Sequence, residues 1–448
     1  MSEITGSGLL GECLARLEWA PERLAREINK TAGKQVVSAK APYHWLNGGT
    51  PRGTLPELAA LTLSRALGEH VTAWQLWPGA RSQAVAISAH SGLSLPWTTD
   101  GAVRCAALIS RPTASVLLPV SGALAVAPVV DWFTAPAAAQ SSRTGGEEVS
   151  NEVVSVLAER VRQLRRLDDV RGGPMLLDWI KQDLRWAASL ACTATYDWET
   201  GTALFGVLAE LAQLAGWVAT DLGQRALGQR FLLAALRFAH VAADTEFAAA
   251  IVSCLSYLAL WMDSPADAVK LTRMARQRSA GKASAATAAL LASREARAHA
   301  SNGATAECSL ALDEATSLFI GQSASPVPAP AWAYWVTEAV LVADAGRSWL
   351  EAGIPDKAIP LLESGMRLFG DSQPRNRLLH GVSLAQSMLL THQVDGAVRA
   401  TDLALTLTGG QDSERVRSRL GELRGALAAS KGSQAISAAD RIADLIHA

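Results

Sequence analysis

The sequence predicts an all-α chain: a small cluster of short helices at the N-terminus, then a long array of helical hairpins. Three observations predict it. Apolar residues recur at helical spacing over roughly residues 8–77, and again from 149 almost to the end. An internal repeat runs through the second of these stretches. The composition, 49% hydrophobic and 19% charged over 448 residues, suits a globular, helix-rich chain able to bury a sizeable core. Composition also sets the boundaries: residues 1–80 as one domain, 81–148 as an Ala/Ser/Pro-rich linker, and 149–448 as the repeat domain.

The N-terminal elements follow in order. GLLGECLARLEW sets Leu10, Leu14 and Leu17 on one helical face. Pro21 stands at a first-turn position of a second helix, with Leu24, Ala25 and Ile28 inward and Gly33 as its end. SAKAPYHWLN forms a third, closed by Gly48 and Gly49. TLPELAALTLSRALG is a fourth, with Leu58, Leu61 and Leu67 inward, and VTAWQLWPG a short fifth piece.

The stretch 81–148 is poor in charge, and PAAAQSSRTGGEE at 136–148 reads as a flexible connection. It serves as a linker, or it packs on the repeats through Leu117, Leu118 and Val129. Its most apolar part, residues 113–130, is short and broken by Pro119, Gly122 and Pro128, so no membrane span is expected there.

In the third region, SPADAVKLTRMA (264–275), IPDKAIPLLESG (354–365) and QVDGAVRATDLA (393–404) share one pattern. A turn leads to Ala268, Thr272, Ala275 in the first copy, Ala358, Leu362, Gly365 in the second, and Ala397, Thr401, Ala404 in the third. Residues 222–236 and 302–315 are looser copies. Small residues at these positions let the two helices of a hairpin approach closely, the logic of a solenoid. The pattern resembles tetratricopeptide repeats, although the 39 residues from Ala358 to Ala397 exceed the usual period of about 34.

Several short helices in so few residues is the scale of a helix-turn-helix domain. LARLEWAPERLAREI, the following short helix and NGGTPRG together resemble the repressor-like domain of the Xre or Cro type. That resemblance implies a second helix over 21–31, crossing the DNA backbone, and a recognition helix over about 39–47 in the major groove. Trp45 and Leu46 then match its buried positions, and Asn47 and Gly48 its C-cap. The outward residues expected to meet DNA are Arg23, Arg26, Ser38, Lys40, Tyr43, His44 and Arg52, hydrogen-bonding and cationic types suited to base edges and phosphates. From Pro21 to Arg52 six basic residues face two acidic ones, a net +4 in a chain whose total is −1. Pro42 falls inside the expected recognition helix, so either the helix starts near it or its first turn is distorted.

Taken with SGLSLPWTTDGAVR at 91–104, the motifs LAREINK, PYHWLNGGTPRG and LSRALGEHVTAWQLWPG resemble the NsdA-like regulators of actinobacteria, over most of the chain in order. The N-terminal motifs are fairly specific and the repeats generic. The resemblance implies a cytoplasmic transcriptional regulator, a repressor of development or specialised metabolism. Its partners would be double-stranded DNA with an inverted-repeat operator and a second copy, paired through the repeat domain. A peptide, protein or small-molecule effector on the repeats belongs to the same expectation. The alternative is an interaction scaffold whose helix-turn-helix domain no longer touches DNA.

No enzyme is expected. HExxH, a Walker loop and GxSxG are all missing from the sequence. The eight histidines are scattered, and the five cysteines are far apart with no CxxC pair, so neither a metal, a cofactor nor a disulfide framework is expected. The N-terminus has neither the basic region nor the apolar run of a secretory signal. Fourteen tryptophans are many. Most read as helix packing, Trp217 and Trp349 among them, while any that stand on a concave solenoid face would make good anchors for a partner.

Overall fold

The computed structural model describes the chain except residues 1–7, 33–34, 53–54, 68–70, 72, 78–85, 112–115, 139–140, 322–326, 371–372, 408–412, 431 and 448. Gly33, Lys34 and residues 322–326 of the Pro-rich stretch GQSASPVPAP (321–330) therefore lie outside the described residues. The fold is all-α and solenoid-like. It divides into two compact units, the first built mainly from residues 1–91 and 112–120, the second from 92–111, 121–223 and 228–448.

The first unit holds α1 (Leu9–Arg16), α2 (Pro21–Ala32), α3 (Ala41–Leu46), α4 (Leu55–Leu67) and α5 (Ala73–Leu76). Its core gathers Leu10, Cys13 and Leu14 of α1, Leu24, Ala25 and Ile28 of α2, and Leu58 and Leu63 of α4. On α4, Leu58 is buried and Leu61 and Leu67 are half-buried against this core as expected, and Leu63 is fully inside as well. Trp45 of α3 meets Trp77 edge-on within this core, their rings 5.8 Å apart. A two-stranded parallel ladder, β1 (Ala86–Ser88) with β2 (Val116–Leu118), completes the unit.

The second unit is an array of antiparallel hairpins. They are α8–α9 (Asn151–Val170, Pro174–Thr193), α10–α11 (Trp198–Asp221, Arg225–Val241) and α12–α13 (Thr245–Trp261, Pro265–Ser279). Then come α14–α15 (Ala285–Ser301, Thr305–Ile320), α16–α17 (Glu338–Glu351, Pro355–Phe369), α18–α19 (Pro374–Leu390, Val394–Leu405) and α20–α21 (Glu414–Ala429, Ser433–His447). The small residues named by the repeat are all buried at helix–helix contacts. A Cβ built on Gly365 would sit 2.7 Å from that of Ala343 on the paired helix, so only glycine permits this approach. The turns repeat as well. Asp263, Gly303, Gly353 and His392 each adopt a left-handed backbone between the paired helices. In each turn the next amide donates to a carbonyl five residues back, as in a Schellman motif.

The segment 81–148 departs from the linker reading. Its described part forms α6 (Thr99–Ile109) and α7 (Ala123–Thr134). Within the second unit α6 packs on α9 and α7 on α13. Arg237 donates to the carbonyls of Leu93, Leu95 and Pro96 and stacks over Trp97, while Arg278 donates to the carbonyls of Phe133 and Ala135. Val129 is fully buried, but Leu118 joins the core of the first unit instead. Low charge and abundant Ala and Pro describe a loop, and they equally describe an apolar segment covered on its faces whose carbonyls are satisfied by arginine.

Among the described residues one helix, α10, is long and apolar enough to cross a membrane, and 67% of its apolar window is buried within the fold. No disulfide joins any of the five cysteines.

Candidate functional site

The candidate reading face of the first unit is built by two short helices and the turn between them. α2 is strongly two-sided: its apolar stripe is wholly buried, which leaves Arg23 and Arg26 exposed. Arg23 lies over the Trp19 ring, 5.0 Å from its centroid. Asn29, on the last turns of α2, fixes the loop that follows. Its Oδ1 accepts from the amides of Val36 and Val37, and its Nδ2 donates to the Val37 carbonyl at 2.8 Å. Sequence reasoning passed over Asn29, because a side chain that bonds eight residues ahead leaves no local pattern.

Pro42 settles where α3 begins. It sits within the first two positions of the helix, where its missing amide costs nothing, and Lys40 is the N-cap. α3 is therefore Ala41–Leu46 rather than 39–47. Ser38 and Lys40 stand in the preceding turn, where the Ser38 carbonyl accepts from the Ala41 amide. At the other end Asn47 is the C-cap and Gly48 is left-handed at φ +88°. The Gly48 and Gly49 amides donate to the carbonyls of Trp45 and His44. A Cβ on Gly49 would come within 2.7 Å of the His44 carbonyl, so the Gly-Gly pair is required by geometry.

All seven expected contact residues are exposed: Arg23 and Arg26 on α2, Ser38 and Lys40 in the turn, Tyr43 and His44 on α3, and Arg52 beyond it. Trp45 is buried and Leu46 half-buried against the same core. Tyr43 is not free, since its hydroxyl donates to Glu22 at 2.5 Å. That bond holds the Glu22 carboxyl below its ordinary range and pushes the Tyr43 phenol above its own.

A second site lies wholly in the repeat unit. The first helices of successive hairpins surround a cavity of about 150 Å3. The array curls far enough that α18 and α20 reach back to α8, α10 and α12. Arg375 of α18 pairs with Asp168 of α8 at 2.9 Å and Asp221 of α10 at 3.3 Å. Arg415 of α20 pairs with Asp221 at 2.8 Å. The aromatic walls include Trp217, Phe247, Tyr257 and Trp335. Burial alone would raise the Tyr257 phenol, but Arg297, Arg415, Arg347 and Arg294 outweigh it and pull the group down to about 6. His380, stacked on Phe369 and 3.6 Å from Asp344, is lowered to about 4 by burial, despite that carboxylate.

Of the tryptophans weighed as anchors, Trp349 is buried, Trp217 lines the cavity, and Trp179, Trp186 and Trp198 are exposed. The cavity had no sequence signature, because its arginines come one or two per helix from distant hairpins.

Comparison with known families matches residues 10–76 to the SP15 N-terminal domain, the stretch that forms α1 to α5. No curated protein matches the chain.

Proposed function

We propose that this chain is a DNA-binding transcriptional regulator of the kind the NsdA-like resemblance implies, acting in the cytoplasm. One observation carries the reading: every polar or cationic residue named as a DNA contact is exposed, while Leu24, Ala25, Ile28 and Trp45 of the same helices are buried. A face so arranged offers phosphates Arg23, Arg26 and Arg52. It offers base edges Tyr43 and His44, with Ser38 and Lys40 in the turn beside them. Glu22 orients Tyr43, which lowers the conformational cost of presenting that side chain. A single reading head of this size rarely reaches physiological affinity, so the regulator acts as a dimer through the repeats on an inverted-repeat operator. An effector held by the repeats shifts the population competent to bind DNA.

The test is the double variant Lys40→Ala, His44→Ala. Both side chains are exposed, so the helical circular dichroism and melting temperature stay at wild-type values while operator binding is lost. Retained operator affinity would sink the assignment of this face. A second reading, a scaffold whose N-terminal unit does not touch DNA, draws on the shortness of α3, six residues, and on the exposed tryptophans of the repeats. Under that reading the full chain binds no duplex above background even at low salt.

A further inference from the structure

We propose that the cavity of the repeat unit binds a small planar organic anion, an aromatic ring carrying one carboxylate or phosphate-type group. The size fits: a cavity of about 150 Å3 is on the scale that holds a single ring. The walls fit as well, since aromatic faces stack on planar ligands and exclude water.

The polar groups decide the sign of the charge. Arg165 and Trp332 are each 8% exposed, and Arg165 Nη2 and Trp332 Nε1 have no hydrogen-bond partner in the fold. Both are donors only. A buried donor without an acceptor costs about 1–3 kcal/mol, so the cavity asks for acceptor oxygens. Arg294 meets Asp344 at 3.7 Å, too far for a hydrogen bond, and its guanidinium lies over the Tyr257 ring at 4.9 Å. That fork is placed for two-point recognition of an oxyanion.

The carboxylates at the cavity are already engaged. Asp168 holds Arg375, Asp169 accepts from the Tyr334 hydroxyl, and Asp344 faces both His380 and Arg294. A cationic ligand would meet the guanidiniums instead. A neutral hydrocarbon would leave the donors of Arg165 and Trp332 unpaired.

The experiment uses the full chain without DNA, so its failure and the failure of the DNA-binding reading are separate results. Benzoate and phenyl phosphate are titrated by calorimetry and by tryptophan emission, beside benzamide and inorganic phosphate alone. The expected result is millimolar or tighter binding of the two aromatic anions, with benzamide and inorganic phosphate at least tenfold weaker. Trp332→Phe removes the N–H while keeping a ring against Phe247, and Arg294→Gln removes the fork; each weakens binding at least fivefold. Benzamide binding as well as benzoate would overturn the charge assignment, and phosphate binding as well as phenyl phosphate would overturn the ring. Unchanged affinity in both variants would place the binding elsewhere. The unmutated chain supplies a readout independent of variant folding. Filling the cavity beside Trp217 and Trp335 alters indole emission, and no change at saturating benzoate overturns the proposal.

Discussion

At the residue scale, burial sets which side chains do more than pack. His380 is the sharpest case. Held neutral inside the repeat unit, with Asp344 on one side and Arg347, Arg419 and Arg297 around it, it resists protonation down to about pH 4. The unfolded chain protonates it near 6.5. Between those values the unfolded state binds the extra proton, so stability falls as pH drops from 6.5 to 4 and is fully present above that window. The loss from this group approaches ~3 kcal/mol, at about 1.36 kcal/mol per unit. Denaturant titrations of wild type and His380→Asn across that range check it: the variant's stability curve is flatter by that amount. Identical slopes would show that His380 is already protonated in the fold. None of this was legible in the sequence, where His380 and His392 were merely two histidines in one hairpin. By contrast Leu24, Ala25 and Ile28 announced themselves, because a period of 3.6 needs no partner in space to be seen.

At the element scale the repeating turns carry the array. Asp263, Gly303, Gly353 and His392 each turn the chain through one left-handed residue, so that conformation recurs at four of the hairpins. Gly303, at φ +76°, has open space where a Cβ would stand. Gly303→Ala therefore isolates the backbone term, and the denaturation midpoint should fall by the equivalent of about 1 kcal/mol. Ala243, already left-handed at φ +56° between α11 and α12, should respond in the opposite direction when replaced by glycine. If both substitutions prove neutral, the turns do not hold these angles in solution. The same scale shows what sequence could and could not fix. The small residues Ala268, Thr272 and Ala275 were legible because close approach leaves a mark at a fixed spacing. The bounds of α3 were not, because helical spacing cannot say on which side of Pro42 a helix begins. The helices inside 81–148 were hidden for another reason: their cover is supplied by Arg237 and Arg278, some 140 residues away.

At the scale of the whole molecule, the repeat unit is held in its curl by buried charge. Arg375 joins Asp168 and Asp221 across 207 and 154 residues of chain. A buried pair contributes little net stability against an apolar replacement, yet removing one partner strands the other. Arg375→Ala leaves Asp168 buried without its partner, while Asp221 keeps Arg415, and should cost about 3–5 kcal/mol in denaturant unfolding. A loss below ~1 kcal/mol would mean that the early and late hairpins do not meet. The same network frames the cavity, so a ligand there would act on the closure of the array itself. Reading the sequence could place the hairpins but not their curl, since contacts at such separations have no local signature.

The central claim is that the N-terminal unit reads DNA sequence, and one measurement addresses it directly. The purified full chain is mixed with fragmented genomic DNA from its source at two salt concentrations, and the captured fragments are sequenced. A few enriched sites sharing an inverted repeat, weakened but still preferred at the higher salt, is the result expected of a dimer that contacts both phosphates and bases. Broad enrichment that vanishes at the higher salt, with no shared motif, would contradict it and leave the exposed face of α2 and α3 as a weak backbone binder.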